Sequence, residues 1–110
     1  MDQTLPADID LKARLIQQAY LHLGQRKDDN ITYNVVAQIG IYWIDTFGIL
    51  FVDTKVHHWI DSDFDDLSAP TVAPCSNIFE AGVQAIGLLS ELTVAFKQRA
   101  TEIKGLLPVK

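Results

Sequence analysis

Residues 31–60, ITYNVVAQIGIYWIDTFGILFVDTKVHHWI, decide the fold, because two periodicities compete within them. Val35, Val36, Ile39, Tyr42, Trp43 and Phe47 share one helical face, opposed by Asn34, Gln38 and Asp45, and Asn30 can cap such a helix. Against this, Leu50, Val52, Thr54, Val56, His58 and Ile60 alternate with Asp53, Lys55 and His57, a strand pattern. The stretch is rich in β-branched and aromatic residues. Asp45-Thr46-Phe47-Gly48 also fits a type I turn. The helical reading is taken as the expectation. A hairpin, or a helix to about Phe47 followed by a second segment after Gly48, is the alternative.

The flanks reinforce the helical expectation. Leu5, Ile9, Ala13, Ile16, Tyr20 and Leu23 recur at three- and four-residue steps, with Thr4 or Asp8 as N-cap and Gly24 as terminator. The polar run Gln25 to Asn30 then reads as a connector. A last helix over roughly 77–104 opens on Asn77 and Glu80, a variant of the capping box, and stops at Gly105 and Pro108. On it Ile78, Gly82, Ala85, Leu89, Leu92, Phe96 and Ile103 form a seam that only Arg99 interrupts. Glu80, Gln84, Glu91, Gln98 and Glu102 occupy the other side. The expected fold is mainly α, a three- or four-helix bundle forming a single helical domain over 1–110. The alternative is α+β, a helix–β-hairpin–helix.

A chain of 110 residues is the size of one domain, and 48% apolar with 21% charged residues is globular composition. Val35 to Val52 is apolar enough to suggest a membrane span, but Gln38 and Asp45 fall inside it, so a buried segment is expected and no membrane. A net charge of −5 and scattered basic residues argue against nucleic acid. One cysteine, Cys75, allows no intrachain disulfide and fits a reducing compartment. No secretory signal is expected, and the localisation read is cytoplasmic.

The densest polar group is His57, His58, Asp61 and the acidic run to Asp66. On a helix His57 and Asp61 would share a face, a pairing suited to zinc or iron. The Asp-x-Asp-x-Asp spacing resembles a calcium loop, but Asp66 stands where Gly is required and Val72 where Glu is. With so few ligands, no metal and no cofactor is expected. Cys75 precedes a helix start, which can lower a thiol pKa, yet no catalytic motif surrounds it. His22 reads as a boundary residue. Glu80, Glu91 and Glu102 lack the Glu-x-x-His partner of a di-iron bundle. No catalytic residue is assigned.

Small residues at Ala37, Gly40, Ala81, Gly82 and Ala85 suit either tight internal packing or a subunit interface. The leading functional reading is a non-enzymatic interaction or regulatory module that forms a homodimer, because Ile41, Ile44, Ile49, Phe51 and Val52 exceed what neighbouring helices can cover. The alternatives are an acidic, immunity-type inhibitor masking a basic partner with Asp61–Asp66, and a small metalloenzyme using His57, His58 and Asp61.

Overall fold

A computed structural model describes residues 13–58, 62–68 and 71–107. Their order is β1 (Ala13–Asp28), β2 (Ile31–Ile44), a 3-10 turn (Asp45–Phe47), β3 (Ile49–His57), a second 3-10 turn (Ser62–Phe64) running into the short α1 (Asp65–Ser68), β4 (Thr71–Pro74), α2 (Ile78–Glu102) and β5 (Leu106–Leu107). The strands form one antiparallel sheet in the order β4-β3-β2-β1-β5, and α2 lies along one face of it, mainly over β1 and β2.

This overturns the helical bundle and also the helix–hairpin–helix alternative, since both require an N-terminal helix. Ala13–Asp28 is a sixteen-residue strand. The proposed caps Thr4 and Asp8, and the first stripe residues Leu5 and Ile9, lie outside the described residues. The misreading has a definite cause. β1 pairs with β2 through two register shifts, between Leu15 and Gln17 and between His22 and Gly24. Each inserted residue moves the alternation to the other face and breaks the period of two, while Tyr20, between the shifts, is 62% exposed and joined the helical stripe by its spacing alone.

In β2 the alternation is clean. Val35, Ala37, Ile39, Ile41 and Trp43 are buried beneath α2, and β-branched and aromatic side chains suit this pleated, half-covered surface. Val35 to Val52 is therefore two strands and a turn, with no helix. Register places Ile39 beside Thr54, Ile41 beside Val52 and Trp43 beside Leu50, so β3 continues the same buried rows. The β1–β2 connection is only Asp29 and Asn30, Asp29 taking a left-handed φ of 53°. Gln25 to Asp28, read as connector, belongs to the strand. Between β2 and β3, Gly48 adopts φ 60° and its N–H donates to the Asp45 carbonyl at 3.2 Å.

α2 caps as its sequence suggests. The Asn77 side chain accepts from Glu80 N–H at 2.9 Å, while the Glu80 carboxylate accepts from Ser76 N–H at 2.9 Å. The helix buries Ala81, Ala85, Phe96 and Ala100 against the sheet, and Ile103 just beyond its end. Leu89 and Leu92 pack at the edge of the core, whereas Ile78 at the start of the seam is exposed. Phe96 stacks on Phe64 with ring centroids 6.0 Å apart, fastening the crossover beneath the helix.

Candidate interaction surface

Of the residues chosen for metal chemistry, the two histidines have separate partners. His57 Nε2 lies 3.1 Å from Gln38 Oε1 across the β2–β3 pair. His58 stacks on Tyr33 at 5.2 Å, beside Arg26, whose guanidinium donates to the His58 carbonyl. Asp61 lies outside the described residues. Among the described residues no three His, Cys, Asp or Glu side chains gather in a group able to hold a metal. His22 is exposed on β1.

The acidic run serves the fold. Arg99 donates to both Asp66 carboxylate oxygens at 2.8 Å and also to the Asp63 carbonyl, and Glu102 lies 3.7 Å from it. This bidentate pair holds the Asp66 carboxyl below the usual range. Arg99 interrupts the apolar seam because it clamps the crossover to α2. Cys75 is buried, its N–H bonded to the Gly48 carbonyl at 2.8 Å. Burial pushes its thiol pKa up and the Glu80 charge adds to the shift, the reverse of what a nucleophile needs.

The apolar patch expected in the middle segment is largely absent from the surface. Ile41, Ile44 and Val52 are fully buried, and Ile49 and Phe51 are half-buried within the sheet. Of the small residues, Ala37, Ala81 and Ala85 are completely buried, so they pack inside the chain. Gly40 lies on the other face of the sheet, where a Cβ would press on the Tyr42 ring.

Exposed large apolar side chains occur singly on the strands and turns, at Leu15, Tyr20, Ile31, Phe47 and Leu107, and as a row on the outer side of α2. Phe79 is 84% exposed, Val83 73%, Ile86 59% and Val94 56%. Steps of four and three, then eight, set these residues on one stripe roughly opposite the buried one. The signal was present in the sequence, but the inner seam and the acidic ridge together suggested an ordinary solvated outer face. The helix is instead apolar on two sides, with Glu80, Gln84, Glu91 and Gln98 confined to a ridge between them. By length and composition alone α2 could also cross a membrane. A shallow depression of about 410 Å³ bordered by Ser90, Glu91, Val94, Ala95 and Gln98 opens on its C-terminal half. Gly82 and Gly87 lie on this helix, and among the described residues no other element comes within 4 Å of where a Cβ would be.

Among the described residues the class of structure is thus a five-stranded antiparallel sheet covered on one face by one long, doubly apolar helix. No protein-family model matches the chain, and no curated protein or solved structure is detectably similar to it.

Proposed function

We propose that the chain is a non-enzymatic protein–protein interaction module whose docking surface is the outer face of α2. The observation that carries this is the stripe Phe79, Val83, Ile86 and Val94, each more than half exposed. Large apolar side chains on a surface lose stabilisation that burial would supply, about 1.5–3 kcal/mol for each one fully covered. A row of them along one helix face, interrupted only by the small residues Gly87 and Ser90, supports a surface that a partner covers. The inner face of the same helix packs on the sheet through Ala81, Ala85 and Phe96, which favours a soluble partner over a bilayer around α2. The stripe also lacks the basic cluster that would draw it to an anionic lipid surface. A cytoplasmic setting, in which Cys75 stays a thiol, belongs to this reading.

Native mass spectrometry of the gently purified full chain tests it, with a Val83→Glu, Ile86→Glu double variant as control. The expectation is a stoichiometric assembly, with itself or with another protein, that the variant loses while keeping its circular dichroism. An unassembled wild-type chain would sink the reading.

A further inference from the structure

We infer that the occupant of this face is a second copy of the chain, its α2 lying antiparallel to the first across a two-fold axis at the level of Gly87 and Ser90. The inference rests on the reading just given and names its partner.

Charge selects the direction. Lys97 lies close to the outer stripe and has no ion-pair partner among the described residues. Parallel pairing would set Lys97 against its own copy and bring like helix ends together, both unfavourable. Antiparallel pairing reverses this and brings Lys97 to the acidic first turn of the other helix, which carries Glu80.

The register that aligns Lys97 with Glu80 then fixes every other neighbour. Val83 meets Val94, twice by symmetry. Phe79, the most exposed apolar side chain of α2, comes over the depression bordered by Val94, Ala95 and Gln98. Gly87 meets Ser90 at the crossing, where two small residues let the backbones approach closely. That closeness accounts for Gly87, which in a helix interior costs about 1 kcal/mol against Ala and where a Cβ would meet no other element among the described residues. Three pairs, Glu80 with Lys97, Val83 with Val94 and Gly87 with Ser90, thus match in one register.

Disulfide trapping of the full chain tests both partner and direction. In a Cys75→Ala background, Val83→Cys and Val94→Cys proteins are made separately, checked by circular dichroism, and oxidised alone and mixed. The mixture should form a covalent dimer in high yield, and neither protein should do so alone, since each cysteine lies about 16 Å from its own copy along the helix. The Lys97→Glu change should reduce the mixed product. Self-linking of Val83→Cys would overturn the antiparallel arrangement. Equal absence of product in all three samples would overturn the second copy. If native mass spectrometry then showed a complex with a different protein, lost in the Val83→Glu, Ile86→Glu variant, the interaction reading would stand without this inference. An unassembled chain would remove both.

Discussion

The inner and outer faces of α2 invert the usual arrangement of side-chain size. Inside, three of the four buried helix positions are alanine, with Phe96 the one large residue. Outside stand Phe79, Val83, Ile86 and Val94. Alanines let the helix backbone sit close to the sheet, and the sheet supplies the volume through Ile39, Ile41, Leu50 and Val52, all essentially inaccessible. On the outer face bulk has no counterpart among the described residues. Size alone therefore does not locate a core: small residues mark where two elements are already close, and large ones mark where something has yet to arrive.

Substitutions along α2 can break this contrast. Phe96→Ala should cost about 3–5 kcal/mol of unfolding free energy, because it empties the one bulky inner position. Denaturant titration measures it, and a loss near that of the exposed Gln98→Ala, under about 0.5 kcal/mol, would show the faces to be exchanged. Ala85→Leu should cost about 1–3 kcal/mol by overpacking against the sheet. Gly82→Ala should raise stability by about 0.5–1 kcal/mol through helix propensity, since a Cβ there meets nothing.

The acidic ridge between the faces offers a smaller effect. Glu80 is held below the ordinary carboxylate range first by the Ser76 N–H, and Asp66 first by Arg99. A lowered folded value means stability present above about pH 4, the unfolded carboxyl range, and lost as pH falls through the lowered values. Glu80→Gln should flatten part of that acid limb in thermal melts recorded from pH 5 to 2. An unchanged limb would show that the cap carries none of it.

Local chemistry made α2 legible. Asn77, Glu80 and Gly105 mark its ends through hydrogen bonds made within a few residues. The turn at Asp45 to Gly48 and the alternation from Leu50 to Val56 were visible for the same reason, and they coincide with β3 and its approach. Long-range pairing hid the rest. In β2 the odd positions point inward in a period of two, yet Val36, Tyr42 and Ile44 add apolar residues on the even positions, so a helical face could also be drawn. In β1 the register shifts broke the alternation, and Ala, Leu, Gln and Arg are good helix formers. The outer apolar stripe was readable from spacing but was masked by a stronger seam on the same helix. Of the candidate metal residues, His57 lies beside Gln38 and His58 against Tyr33, and Asp61 lies outside the described residues.

Those two register shifts in β1 have a further consequence, for solubility. β1 is an outer strand, joined by β5 only at Gln25 and Arg26. Among the described residues the remainder of its outer edge, 13–24, has no strand beside it. A flat edge of that length would template cross-strand addition from other molecules and seed aggregation. A bulge near each end of this stretch twists the backbone out of plane, so an incoming strand finds no continuous ladder to extend. The irregularity that makes β1 hard to recognise from its sequence also blunts it as a seed for fibrils.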